Sequence, residues 1–248
     1  MKINIDTEKF IRDNIAIDSE TEEHFDLIQQ MEKDFISIGV EQGWQHGPVG
    51  GAPCQLDLRF IYLMTLLLKP KNIIEVGTWS GLSAHVIALA ASRHTSEFRI
   101  DTCDVVGVYQ KPEQYAYLNK NIHFHNCHSV KMHEQLKTSG IKYDFIFSDA
   151  SLSIRDCHLI SDILADKSNL FFMTHDVYPN KYEKGNRALD IFADNYSLED
   201  DMYKFIPSKL DIGYEVQNTK INSCTGFVAS HRCYNSIVNN LGRQNGSE

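Results

Sequence analysis

The stretch Asn72-Ile73-Ile74-Glu75-Val76-Gly77-Thr78-Trp79-Ser80-Gly81-Leu82-Ser83 decides the fold. Its first five residues form an apolar run of strand length, and the glycines behind it permit a tight turn into a helix. In an open parallel sheet, ligands lie outside the carboxyl ends of the strands, so this exit loop is the first candidate binding element. Gly77 admits close approach of a ligand, while Gly81 and Ser83 open the next helix, with Ser83 placed to cap it. The spacing is G-x-x-x-G. It lacks the closer glycines of a dinucleotide fingerprint and the Lys-Ser/Thr pair of a phosphate-cradling loop.

Downstream, the same texture repeats as short apolar runs separated by helical stretches, the pattern of βαβ units on a parallel sheet. Strands are expected at Asn72-Val76, Phe98-Cys103, Asn121-His125, Tyr143-Ser148 and Leu170-Thr174. Helices fill the gaps at Ser83-Arg93, Pro112-Leu118, Met132-Thr138 and Ile154-Ala165, and Asn186-Phe192 extends the series. Tyr203-Ile206, Gly213-Val216 and Thr225-Ala229 are expected to supply terminal strands. Upstream, residues up to about 45 read as acidic helix, with Phe25, Ile28, Met31, Phe35 and Ile38 recurring at helical spacing. A glycine and proline cluster over 43–53 marks a loop before the apolar helix Leu56-Leu68. The whole therefore reads as one α/β domain, doubly wound, with a mostly parallel seven-stranded sheet. An N-terminal helical extension spans 1–68, the core 72–230 and a tail 231–248.

With 248 residues and 42% hydrophobic residues, the chain can bury a sizeable core. A net charge of -9 argues against long polyanionic partners, since phosphate binding needs concentrated basic surface. Neither nucleic acid nor a membrane surface is expected as a partner. The six cysteines (Cys54, Cys103, Cys127, Cys157, Cys224 and Cys233) contain no C-x-x-C pair, which points to free thiols in a reducing compartment. The start lacks a signal-peptide run, and no stretch approaches about 18 apolar residues, so a cytoplasmic protein is expected.

The acid followed by Gly-x-x-x-Gly-x-Ser after an apolar strand resembles the first motif of class I S-adenosylmethionine-dependent methyltransferases. The segment Tyr143-Asp144-Phe145-Ile146-Phe147-Ser148-Asp149-Ala150 resembles the Tyr-Asp-x-Ile-Phe-x-Asp-Ala run of small-molecule, catechol-type O-methyltransferases. The resemblance covers roughly residues 55 to 178. It implies a Rossmann-like methyltransferase fold, S-adenosyl-L-methionine as cofactor, and a small-molecule acceptor methylated most readily on a hydroxyl. A homodimer is compatible with it. The implied cofactor set is Glu75, Gly77, Thr78, Trp79, Gly81, Ser83, Asp104, Cys127, His128 and Asp149. Asp104, at the end of the second strand, is placed to accept bonds from the ribose hydroxyls, with Asp101 as the alternative further inside the strand. Cys127 and His128 fall where such enzymes contact adenine.

Catechol-type enzymes hold a divalent ion with an Asp after this fourth strand and an Asp-Asn pair after the fifth. Here Asp149, His175 and Asp176 stand at those places, which makes them the candidate ligands for Mg2+ or Mn2+. His175 and Asp149 are the candidate catalytic pair, because an imidazole titrates near neutrality and can act as a base. The family's lysine base, three residues after the fourth-strand Asp, is replaced by Leu152. Trp44 and His46, with Tyr178-Pro179-Asn180-Lys181-Tyr182, are expected to wall the acceptor pocket. Three other readings remain at this stage. One is a metal-independent N- or C-methyltransferase. A nicotinamide-dependent oxidoreductase is disfavoured by the missing fingerprint, and a non-catalytic cofactor-binding partner is the third.

Overall fold

The computed structural model describes residues 2–5, 17–41, 53–106, 108–165, 171–175, 177, 184–196, 202–207, 212–216, 219–222 and 225–230. Trp44, His46, Asp176, the segment 178–182 and the tail 231–248 lie outside the described residues.

Five parallel strands form the centre: β2 (Asn72–Val76), β3 (Arg99–Asp104), β4 (Ile122–Asn126), β5 (Phe145–Ser148) and β6 (Phe171–Thr174). Successive side chains of a strand point to opposite faces, and here both faces are covered by helices. Ile73, Phe145, Phe147, Phe171 and Met173 pack into one apolar cluster, whereas Ile74, Ile146 and Phe172 pack into the other. These strands therefore read as unbroken apolar runs rather than as alternating ones.

The first face carries α1 (Ser19–Glu41), α2 (Gln55–Leu68) and α3 (Leu82–Ser92). The second carries α5 (Ser129–Ser139), α6 (Ile154–Ile163) and α7 (Lys184–Tyr196). The short α4 (Ala116–Asn119), continuing a 3-10 turn, precedes β4. Phe25, Ile28, Met31 and Phe35 on α1 are buried at helical spacing, as their periodicity predicts. Arg93 fastens α1 to the core through Asp18 at 3.1 Å, Glu20 at 2.7 Å, the Thr21 hydroxyl at 2.9 Å and the Tyr62 hydroxyl at 3.2 Å.

Among the described residues the sheet has eight strands, where the sequence suggested seven. Its order is β1-β7-β10-β6-β5-β2-β3-β4, with β1 (Lys2–Ile5), β7 (Met202–Pro207) and β10 (Gly226–Ser230) on the far side of β6. β10 runs antiparallel to both neighbours, and β1 joins the outer edge parallel to β7. The expected strand at Gly213–Val216 is real but does not join this sheet. As β8 (Ile212–Val216) it pairs with β9 (Thr219–Asn222) in a separate hairpin. Strand alternation tells that a segment is extended, and not which edge it finds.

Chain order reverses beside β2: β3 and β4 extend the sheet one way, β5 and β6 the other. The carboxyl ends of β2 and β5 thus border the crevice in which open α/β sheets bind ligands.

Candidate active site

The glycine loop follows β2 directly, and three of its residues sit at positive φ: Gly77 at 93°, Trp79 at 45° and Gly81 at 95°. Trp79 is the unusual one, since a bulky side chain rarely adopts that region. Its backbone N–H donates to Asp104 Oδ2 at 2.9 Å, which holds the loop in this shape. A Cβ at Gly77 would stand 2.9 Å from the carbonyl of Asp149, and one at Gly81 would stand 2.5 Å from the Tyr109 ring. The first contact packs the β2 and β5 exits against each other. In the second, the aromatic ring lies across the head of α3.

Glu75 lies beneath the loop, fully buried. Its carboxylate accepts from Ser83 Oγ at 2.6 Å and from Thr102 Oγ1, which is itself 2.5 Å from Thr78 Oγ1. Burial pushes the Glu75 carboxyl up to about 7 despite these bonds. Ser83 does not cap α3, because its hydroxyl is spent on Glu75 and Gly81 occupies the N-cap position. His85, one turn on, bonds the Gly81 carbonyl at 2.7 Å and Asn119 Oδ1 at 2.7 Å. Thr78, Glu75, Ser83 and His85 therefore brace the loop from the protein side.

Asp104 ends β3, half-buried, and its second oxygen accepts the Val106 N–H at 2.8 Å. Each carboxylate oxygen has a further lone pair, so the group can still accept ribose hydroxyls. Asp101, the alternative, is excluded by its surroundings. It is fully buried, with Arg99 Nε at 2.6 Å, the Tyr143 hydroxyl at 2.7 Å and His125 Nε2 at 2.8 Å. Desolvation raises its pKa, but these donors prevail and hold it at about 2. On the next strand's exit, Cys127 is a half-buried free thiol and His128 is the exposed N-cap of α5. The Glu75, Gly77, Thr78, Trp79, Gly81 and Ser83 loop and Asp104 share one end of the sheet with Cys127, His128 and Asp149.

His175 follows β6 and is buried, its N–H bonded to the Ser148 carbonyl at 2.9 Å. Its Nδ1 lies 3.0 Å from Asp149 Oδ1, so the proposed catalytic pair is in contact. The opposite ring nitrogen, Nε2, lies 3.4 Å from Asp57 Oδ2 in the first turn of α2. Asp57 is buried as well, and accepts from Thr225 Oγ1 at 2.9 Å and Cys54 Sγ at 3.1 Å. Burial disfavours a charged His175, yet the Asp149 and Asp57 carboxylates outweigh it and hold its pKa well above the ordinary value. A ring held towards its protonated form accepts a proton less readily, which favours Asp149 over His175 as the proton acceptor. Leu152, where a lysine base would stand, is buried in the second apolar cluster.

Asp57 escaped sequence reasoning. Its signal was there, an acid near the start of the strongly apolar run Leu56–Leu68, because such a charge is buried only when partnered.

The fold is the Rossmann-like one of class I S-adenosylmethionine-dependent methyltransferases. More particularly, residues 52–155, from the start of α2 to the start of α6, match the family of O-methyltransferases. The chain is also similar in structure to the O-methyltransferase from Bacillus cereus solved with S-adenosylhomocysteine. That match has 14% identity, covers 89% of this chain and 96% of that one, and gives a TM-score of 0.56. A second similar structure is TomG from Streptomyces achromogenes, an O-methyltransferase involved in tomaymycin synthesis, solved with S-adenosylmethionine. Here the identity is 13%, the coverage 91% and 96%, and the TM-score 0.51. At these identities the likeness is one of fold. No curated protein shows significant sequence similarity to the chain.

Proposed function

We propose that the protein transfers the methyl group of S-adenosylmethionine to a hydroxyl of a small organic molecule. The observation that carries this reading is the convergence at the β2/β5 crevice, where Gly77 packs on the Asp149 backbone and Asp149 meets His175. Bound there, S-adenosylmethionine supplies an electrophilic methyl on a sulfonium, which leaves the protein to align the acceptor and manage its proton. Gly77, Thr78, Trp79 and Gly81 shape the cradle, Asp104 receives the ribose hydroxyls, and Cys127 and His128 flank the base. Glu75 and Ser83 serve by holding the loop rather than by touching the ligand. Asp149 accepts a hydrogen bond from the acceptor hydroxyl and takes its proton as the new oxygen–carbon bond forms, while His175 fixes that carboxylate in place. The net charge of -9 and the absence of a basic stretch favour a small acceptor over a nucleic acid. TomG, which is similar in fold, is an O-methyltransferase involved in tomaymycin synthesis.

Calorimetry with S-adenosylhomocysteine tests the cofactor half. Saturable binding is expected, weakened about tenfold or more by Asp104→Ala through loss of charge-assisted bonds to the ribose. No heat with either form of the cofactor would sink the reading. Transfer of labelled methyl to a panel of hydroxylated metabolites tests the other half, with Asp149→Ala expected to abolish it.

A further inference from the structure

Glu75 is fully buried beneath the turn from Gly77 to Gly81, and its hydrogen-bond partners among the described residues are two neutral hydroxyls, Ser83 Oγ at 2.6 Å and Thr102 Oγ1. An acid is rarely buried to this degree without a cation beside it. Its surroundings supply none. Burial first, and then the charges of Asp149 at the β5 exit and Asp104 at the β3 exit, disfavour the ionised form. Tyr109, on the segment between β3 and β4, and Cys103, on β3, are pushed up chiefly by burial and stay protonated. On α3, burial pulls His85 below its ordinary value, and its ring is committed to the Gly81 carbonyl and Asn119. What is missing under this loop is one positive charge. S-adenosylmethionine brings a sulfonium to the loop, whereas its product S-adenosylhomocysteine carries a neutral sulfur.

We infer that Glu75 distinguishes S-adenosylmethionine from S-adenosylhomocysteine by charge without touching either, giving up a proton when the sulfonium binds and regaining one once the methyl has left. In the transfer, the sulfur–methyl bond breaks with its electron pair left on sulfur, and the oxygen–methyl bond forms. The acceptor's hydroxyl proton passes to Asp149. With the sulfonium gone, Glu75 is again an unpaired buried charge, and it takes its proton from solvent. The empty protein holds this carboxyl at about 7, so both forms are within reach near neutrality. A bound sulfonium lowers that point, so affinity for the cofactor rises with pH up to about 7 and levels off above it. The neutral product lacks this lever, and its affinity stays level. A site that prefers the charged cofactor in this way sheds its product more readily. The inference rests on the cofactor half of the methyl-transfer reading.

Calorimetric titration of the protein with each form tests it, at about pH 5.5, 6.5 and 7.5 and in two buffers of different ionisation enthalpy. Wild type is expected to bind S-adenosylmethionine about tenfold more tightly at the top of this range than at the bottom, releasing protons near its middle. Affinity for S-adenosylhomocysteine should change by less than about threefold. Glu75→Gln should flatten the cofactor's pH dependence, end the proton release and bring the two affinities together. The same pH dependence for both forms in wild type would overturn the inference while leaving the functional reading intact, since both forms bind. So would a folded Glu75→Gln protein that releases as many protons as wild type. Should that variant fail to fold, the comparison of buffers in wild type decides alone. Heat from neither form would sink the functional reading and this inference with it.

Discussion

Gly81 answers two demands with one missing side chain: its φ of 95° and the Tyr109 ring standing where a Cβ would be. Gly81→Ala is therefore expected to cost about 1–3 kcal/mol of stability from backbone strain and overlap. Thermal unfolding would measure it, and adding Tyr109→Ala should return the part owed to the ring. Glu75 makes a second test, in which pH is the variable. Its carboxyl titrates at about 7 in the fold against an ordinary 4.5, so the native state holds a proton that the unfolded chain gives up. Its burial thus costs nothing below the unfolded value and destabilises progressively as pH rises from 4.5 to 7. Relative to Glu75→Gln, the wild type should lose up to about 3 kcal/mol across that window, less whatever the amide forfeits at Ser83 and Thr102. A flat difference between the two unfolding profiles would contradict the buried-acid account. At this scale the sequence located the loop residues but misjudged some of their tasks. Position along a strand is legible, whereas Glu75 turning inward, Ser83 bonding it and His175 meeting Asp57 from the distant α2 depend on tertiary packing.

Elements were more legible than residues. β2 to β6 fall within two residues of where their apolar runs place them, because strands covered on both faces carry a strong compositional mark. β1 was missed, since Lys2-Ile3-Asn4-Ile5 is four residues long and half polar. The β8 segment was recognised as extended, but its hairpin partner β9 was not anticipated. For α1, amphipathic spacing foretold burial but not its anchor. Arg93 bonds four α1-side and α2 groups while its own side chain is 13% exposed, so the pairs are only partly screened. Arg93→Ala should cost about 1–2 kcal/mol, mostly through the buried Thr21 and Tyr62 hydroxyls, since Asp18 and Glu20 are more than half exposed and regain water. Hydrogen exchange should show α1 losing protection ahead of the central strands, and uniform loss across the sheet would refute the anchor role.

Among the described residues an eight-stranded sheet carries a helical layer on each side, the β8–β9 hairpin stands apart from it, and the candidate ligand end lies at the strand exits. A ligand that binds only the folded state stabilises by mass action, so S-adenosylhomocysteine at a hundred times its Kd should add about 2.7 kcal/mol. Scanning calorimetry at graded ligand concentrations would check the slope, and Asp104→Ala should shift the curve to higher concentration.

The parallel pairing of β1 with β7 sets Lys2 beside Lys204. During synthesis the first strand leaves the ribosome long before its partner exists, and β7 in turn rests on β10, later still. The outermost edge of the sheet therefore closes last, after a loop of about two hundred residues has been drawn together, and until then two strand edges stay open. Chaperone dependence should accordingly depend on how long translation takes to pass residue 230.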